Sequence, residues 1–181
     1  MRSILFAAGA ALALSACALA PSVPVTTRTL VSADAATSLA VGESIVEERS
    51  AQEASEGMDP VVNIALRHAD GRRLAFQEAN HTPNDIIAQS AGGALAQIMG
   101  LPGEATPTLY HAASGEGAAE AAFFCGPQGP AAIGAFTNAD GTLQIVGLRQ
   151  PFEFETRVDG VTYALPYSPD QVCARLRFRQ G

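Results

Sequence analysis

Three Asp-Gly pairs constrain the fold of this chain more than any other feature of its sequence. They stand at residues 70–71, 140–141 and 159–160, and short runs of mixed apolar and polar residues flank each one. Asp-Gly is typical of tight hairpin turns, because glycine readily adopts the positive φ that these turns require. Hairpins join neighbouring antiparallel strands, so the sequence predicts an antiparallel β-meander.

The first pair also predicts how its two strands are aligned. Strands are predicted at 61–68 and 72–78. If residues 69–71 form the turn together, Leu66 pairs with Leu74 and the apolar residues share one face. A two-residue turn mixes apolar and polar residues on both faces. Since a slip of one residue exchanges the faces, the pattern favours the three-residue turn.

The third pair favours a different turn. Strands predicted at 152–158 and 161–167 flank it, and here a two-residue turn sorts the side chains better, pairing Phe154 with Leu165. The other predicted strands are 29–32, 108–112, 122–125, 131–137, 143–149 and a C-terminal strand with Leu176 and Phe178 inward.

One segment has a helical pattern. Thr82 as cap and Pro83 at the first position are typical of a helix start, and Gly100 is typical of a helix end. Apolar residues recur at helical spacing at Ile87, Ala91, Leu95 and Ile98. The predicted fold class is therefore α+β, a mostly antiparallel meander with one helix, about 82–99, packed on the sheet and a nearly all-β C-terminal part.

Residues 33–57 are strongly acidic and fit two structures. An edge strand at 44–49 and one or two helical turns at 50–56 both agree with the pattern. Acidic runs usually form a solvated face, and the spacing of the acids matches no calcium-binding loop of the Asp-x-Asp-x-Asp-Gly kind.

The N-terminus predicts where the protein resides. Arg2 precedes an uncharged run at 4–14 that is too short to span a bilayer, as in a secretory signal peptide. Leu14-Ser15-Ala16-Cys17 follows, and these four residues resemble the lipobox of bacterial lipoproteins. The resemblance covers residues 1–17 and implies that Cys17 is lipidated and begins the mature protein. Ala18 in place of aspartate implies the periplasmic face of the outer membrane.

The alternative is an ordinary signal peptide cleaved after Ala20. Pro21 would then directly follow the cut, where its missing N–H and fixed φ make a poor site. The predicted organisation is a signal peptide at 1–16, a lipidated cysteine and tether at 17–28, and one domain at 29–181, made of strands and helix at 29–112 and a β-rich, disulfide-linked part at 113–181.

Charge and cysteine content agree with export. The net charge is −7, and removal of Arg2 leaves ten arginines against eighteen acids, or −8, which argues against nucleic acid as a partner. Cys125 and Cys173 are then an even pair in an oxidising compartment, and we predict a disulfide between them. Two free thiols or a thiol metal site are the alternatives, but no Cys-x-x-Cys supports a metal. Cys173 is predicted to lie on a short helical turn that starts at 168.

Five arginines are candidate binding residues. The predicted hairpin places Arg67 opposite Arg73, where like charges either splay into water or bind an anion between them. Arg175, Arg177 and Arg179 alternate along the last strand and so share one face. Such a row guards a sheet edge, binds an anionic envelope polymer or lipid headgroup, or pairs with the acidic segment.

No catalytic motif stands out. The sequence has no Gly-x-Ser-x-Gly, no His-Glu-x-x-His and no phosphate-binding loop. His111 with Ser114 is the one weak nucleophile pair, and the other histidines, His68 and His81, are distant in sequence. We predict a protein without catalytic residues, cofactor or metal.

The functional prediction is an envelope-anchored periplasmic lipoprotein with a non-enzymatic binding or scaffolding role. Its partners are the membrane, through the lipid, and an envelope protein or anionic envelope polymer. Two alternatives stay open: an inhibitor of a cell-wall lytic enzyme, and a periplasmic hydrolase.

The inhibitor alternative rests on a resemblance. Phe124-Cys125-Gly126, the strand after Asp140-Gly141, and Cys173 are similar to the periplasmic lysozyme-inhibitor lipoproteins. The chain departs from that pattern because it has no tryptophan and its Ala113-Ser114-Gly115 precedes the first cysteine. The resemblance implies an inhibitory loop, for which 125–130 is the best candidate.

Overall fold

A computed structural model of the chain describes residues 23–52, 61–79, 95–113, 124–151, 154–156, 162–164 and 169–181. Eight of the strands form a closed barrel, and two more form a separate hairpin. The barrel strands are β1 (Val25–Ser32), β2 (Ser44–Gln52), β3 (Val61–His68), β4 (Arg73–Glu78), β5 (Thr108–Ala112), β6 (Ala132–Thr137), β7 (Leu143–Leu148) and β10 (Val172–Gln180). The hairpin consists of β8 (Phe154–Thr156) and β9 (Thr162–Ala164). The short helical elements are α1 (Ala35–Val41), residues 95–99 and a 3₁₀ turn (Pro169–Gln171).

The predicted antiparallel meander is confirmed, and it closes on itself. Strands β1 to β7 pair in sequence order, β10 pairs with β7, and β10 then pairs with β1. Closure leaves no edge strand in the barrel. The predictions of an edge strand at 44–49 and of an arginine row guarding an edge are therefore wrong, because β2 and β10 each pair on both sides.

The predicted register of the first hairpin is confirmed, whereas that of the β8–β9 hairpin is wrong by one residue. Leu66 pairs with Leu74, and Gly71 has a φ of 92°. Phe154 pairs with Ala164 instead of Leu165. The innermost pairs that the structure describes have the same separation in all three Asp-Gly hairpins: Arg67 and Arg73, Thr137 and Leu143, Thr156 and Thr162.

The aspartate explains why this longer turn recurs at the two turns that the structure describes. Oδ1 of Asp70 accepts a hydrogen bond from the backbone N–H of Arg72 at 3.0 Å, and Oδ1 of Asp140 accepts one from Thr142 at 2.8 Å. An aspartate that bonds the backbone two residues ahead stabilises a turn locally. This contact favours the three-residue turn at both Asp70 and Asp140.

The main core fills the barrel. Alternate residues of each strand point inward, and Leu176 and Phe178 are buried there as predicted. Val41 joins the core from α1, whose N-cap Asp34 accepts a hydrogen bond from Thr37 N at 2.9 Å. The other large interior residues are Ile45, Ile64, Leu66, Leu74, Phe76, Tyr110, Ile133, Leu143 and Ile145.

A second apolar cluster covers the outer face of β5, β6 and β7. Residues 95–99 are helical, and Leu95 is fully buried against this face. Gly134 lies beneath it, where a Cβ atom would be 2.6 Å from Leu95 Cδ2. Gly100 follows the helix with a φ of 66°, as predicted for a helix end. The predicted start at Thr82 lies outside the described residues.

Several predicted boundaries need correction. The first strand begins at Val25 rather than 29, because residues 25–28 pair with β2 and are part of the barrel instead of the tether. The strand β2 continues to Gln52, where helical turns were one alternative. Phe124 and Cys125 form a bend rather than a strand, and Cys173 lies in β10 rather than on the helical turn.

Candidate functional site

A groove of about 330 Å³ lies on the outer face of β2, β3 and β4. The groove forms because the outward residues at its centre are small. Ala65 pairs with Ala75 across β3 and β4, and Ala113 is next to them. Ser50, Asn63 and Gln77 supply hydroxyl and amide groups around this centre. The groove therefore combines an apolar base with a polar rim, and its volume lies in the range of small-ligand sites.

Arg73 and Glu48 line this groove, and Arg67, which is beside it, binds the same Glu48 carboxylate. Arg67 Nε donates to Glu48 Oε1 at 3.0 Å, and Arg73 Nε donates to Glu48 Oε2 at 3.2 Å. The position where an anion was expected is thus taken by a carboxylate of the chain itself, which also relieves the repulsion between the like charges. The three groups keep a formal charge of +1, and the guanidinium groups are about half exposed, at 46% and 52%.

A second charged cluster lies inside the barrel. Glu47 is 2% exposed, and its carboxylate accepts hydrogen bonds from Arg28 Nε at 2.6 Å and Arg49 Nε at 2.5 Å. Arg28 also donates to the carbonyl of Gly141, in the β6–β7 turn, at 2.8 Å. The expectation that the acidic run forms a solvated face is wrong for Glu47. Its position follows from strand alternation, since Ile45, Glu47 and Arg49 share the inward face of β2.

Tyr110 faces the same interior. Burial raises the pKa of its hydroxyl, while the charge of Arg49 acts in the opposite direction. The phenol therefore stays protonated and can donate a hydrogen bond at neutral pH. Glu78, the partner of Tyr110 across β4 and β5, accepts a hydrogen bond from Val62 N at 3.0 Å.

The two remaining cysteines close the opposite part of the barrel. Cys125 Sγ and Cys173 Sγ are 1.95 Å apart, the bonding distance of a disulfide. Phe124 is buried beside them, and Gly147 leaves the space they occupy, because a Cβ there would be 2.6 Å from Cys125 Sγ. The following residues, 126–128, are exposed and form a turn pinned by the disulfide.

The C-terminal arginines have outward, exposed side chains, as predicted. Arg175 Nη1 donates to the carbonyl of Ile98, at the end of the 95–99 helix, at 2.5 Å. Hydrogen bonds from Thr142 lower the pKa of Asp140, and the charge of Arg177 contributes. The alternative in which the row pairs with the acidic segment finds no support in the described part of the chain, where Glu47 and Glu48 pair with other arginines.

The two histidines that the structure describes lie on different strands, His68 at the end of β3 and His111 on β5. His111 is half-buried on β5, and burial lowers its pKa, while its proposed partner Ser114 lies outside the described residues, as does His81. His68 Nδ1 lies 2.8 Å from Asp70 Oδ1 in the β3–β4 turn. Within the described ranges, no group of three or more metal-ligating side chains comes together.

The helices that the structure describes include none long and apolar enough to cross a membrane. Comparison with protein families, with curated proteins and with solved structures finds no match for this chain.

Proposed function

We propose that this protein is a lipid-anchored component of the bacterial envelope, attached through Cys17, whose barrel binds a ligand at the periplasmic surface without catalysing a reaction. The signal at residues 1–17 and the paired Cys125 and Cys173 support export. The groove on β2, β3 and β4, lined by Arg73 and by Glu48 with its second partner Arg67, is the single observation that carries the binding role.

The chemistry of the rim favours a ligand with a carboxylate or phosphate group. Glu48 uses only the Nε donor of each guanidinium, and the Nη groups of Arg67 and Arg73 have no other partner among the described residues. A guanidinium edge of this kind binds an oxyanion through paired hydrogen bonds. An envelope protein with an acidic segment or an anionic envelope polymer would supply that group, while its apolar part lies over Ala65 and Ala75.

Site-specific crosslinking in cells tests this proposal. A photoreactive phenylalanine replaces Gln77 in the groove of the full chain, and the matched control carries it at exposed Gln97, outside the groove. We expect a crosslinked adduct only from position 77, and we expect it to disappear in Arg67→Gln/Arg73→Gln but persist in the charge-conserving Arg67→Lys/Arg73→Lys. Equal adducts from both positions, or none from either, would contradict a ligand in the groove.

A second candidate function, inhibition of a cell-wall lytic enzyme, is favoured by the pinned turn. Residues 126–128 are exposed, and the neighbouring Phe124 and Cys125 fix the turn to the barrel. A rigid exposed loop is the form that inhibitors of enzymes use, because little order is lost on binding. Inhibition of lysozyme by residues 18–181, lost when Gln128 and its neighbours are replaced by glycine and serine, would favour this function over the groove.

We also propose that the helical residues 95–99, packed on the outer face of β5 to β7, are the end of the helix predicted at about 82–99, for which the fit of Leu95 against Gly134 is the support. The hydrolase alternative would require His111 as a base. If a His111→Ala strain keeps its phenotype, that alternative has no support.

A further inference from the structure

The outer face of β1 and β10 combines exposed cations with exposed apolar side chains. Val25 and Val31 on β1 are 58% and 57% exposed. Arg177 and Arg179 are exposed on β10, and Arg179 pairs directly with Thr29 in the middle of β1. The two strands therefore place two cationic side chains on the same outer face as two exposed valines, and surfaces that lie on membranes combine these two kinds of side chain.

The chain leading into β1 is short. Val23 already contacts the barrel, and the carbonyl of Pro24 accepts a hydrogen bond from Arg49 N at 3.1 Å. Only residues 18–22 separate Val23 from Cys17. At about 3.5 Å per residue, the connection spans at most about 20 Å. If Cys17 carries the lipid, the wall around β1 is confined to that distance from the bilayer.

From these two observations we infer that the β1–β10 face lies on an anionic bilayer surface, with Arg177 and Arg179 bound to lipid phosphates. The inference rests on the proposed lipid anchor for its geometry. Elsewhere the acidic chain is repelled by such a surface, so a local cationic row determines which face approaches. Asp140 near Arg177 offsets part of the charge, and Arg175 is already bound to the Ile98 carbonyl.

This orientation has a consequence for the groove, which begins beside the β1–β10 face. Val25 of β1 pairs with Glu48 of β2, and both Glu48 and Val23 line the groove. The strand β4, which carries Arg73 and Gln77, is three strands from β1 and four from β10. The β4 side of the groove is therefore farther from the bilayer than its β2 side.

Vesicle binding by the chain without its lipid tests the face independently of lipidation. Residues 18–181 contain both strands that close the barrel and both bonded cysteines. Their binding to phosphatidylcholine vesicles with and without phosphatidylglycerol is measured by flotation at low salt. The test variant is Arg177→Gln/Arg179→Gln, and the matched control is Arg177→Lys/Arg179→Lys, which keeps the charge at both positions. Thermal melting of each variant verifies that the barrel is folded.

We expect binding only to the vesicles with phosphatidylglycerol, and a loss of about 25-fold in the test variant, since each arginine at an anionic surface strengthens binding about fivefold. The control should change less than about threefold, and salt should weaken binding of the wild type. Equal losses in both variants, binding to neutral vesicles, or no binding at all would overturn the inference. Because no lipid is attached to the protein, none of these results depends on whether Cys17 is modified in cells.

Discussion

The two ends of this barrel are closed by different interactions. At one end, which we call the apolar end, α1 and the bend at Phe124 join the strands, and Val41, Phe124 and the disulfide fill the space. At the other, the charged end, Arg28 reaches from Glu47 to the β6–β7 turn. Apolar closure tolerates small changes in geometry, whereas a buried ion cluster depends on every partner, because each unpaired charge pays its full desolvation cost.

Breaking the charged end should have the largest effect. Replacement of Glu47 by leucine leaves the buried Arg28 guanidinium without its carboxylate, and we expect a loss of about 3–5 kcal/mol in the free energy of unfolding. Urea unfolding followed by circular dichroism measures it. The matched control is Glu48→Leu, whose arginine partners are about half exposed, and for which we expect a loss of about 0–1 kcal/mol. Equal losses would contradict the difference between an interior and an exterior cluster.

Loss of the disulfide at the apolar end should lower the free energy of unfolding by somewhat less. The disulfide closes a span of 48 residues, and loss of both sulfur atoms in Cys125→Ser/Cys173→Ser should lower the free energy of unfolding by about 2–4 kcal/mol. A reducing agent should lower the stability of the wild type by a similar amount and leave the double variant unchanged. A reducing agent that shifts both proteins alike would show that the effect does not come from this bond.

The smallest effect on the free energy of unfolding should come from the β3–β4 and β6–β7 turns. These turns lie at opposite ends of the barrel, and in each an aspartate accepts a hydrogen bond from the backbone two residues ahead. Burial acts to raise the pKa of Asp70, but the Arg72 backbone N–H, His68 and the Arg72 guanidinium lower it from 3.8 to about 2. The folded state thus favours the carboxylate, so its contribution is present above pH 3.8 and is lost as the pH falls through about 2.

Unfolding in urea at a series of pH values, from about 5 down to about 2, tests this linkage. Asp70→Asn should be less stable than the wild type at the upper end, and the two should converge at the lower end. Asp140→Asn at the charged end should show the same direction, because Thr142 lowers the pKa of that carboxyl. A constant difference between Asp70→Asn and the wild type over the whole range would refute the assignment.

The alternation of apolar and polar residues along the sequence predicted most strands, but it could not predict that the sheet closes into a barrel. The strand β5 is found at the predicted residues 108–112, and the alternation around Asp70 gave the right register, because both depend on near neighbours. Closure requires β1 to pair with β10, for instance Arg28 with Gln180. No short-range signal connects positions that far apart, so the arginine row was interpreted as an edge.

The candidate site was predicted in part. Arg67 and Arg73 were recognised from the hairpin register, and the structure brings them together. Glu48 was not predicted as their partner. The strongly acidic sequence gave no clear strand pattern, so the alternation in β2 that points Glu47 inward and Glu48 outward could not be predicted. The groove itself arises from small residues such as Ala65, which carry no chemical signal in a sequence.

Attachment through Cys17 supports both the proposed envelope function and the orientation of the barrel on a bilayer. Intact-mass measurement of the protein purified from the membrane fraction tests it most directly. We expect a mature chain that begins at Cys17 and carries the added mass of its acyl chains. A mature chain that begins at Pro21 and carries no lipid would contradict it.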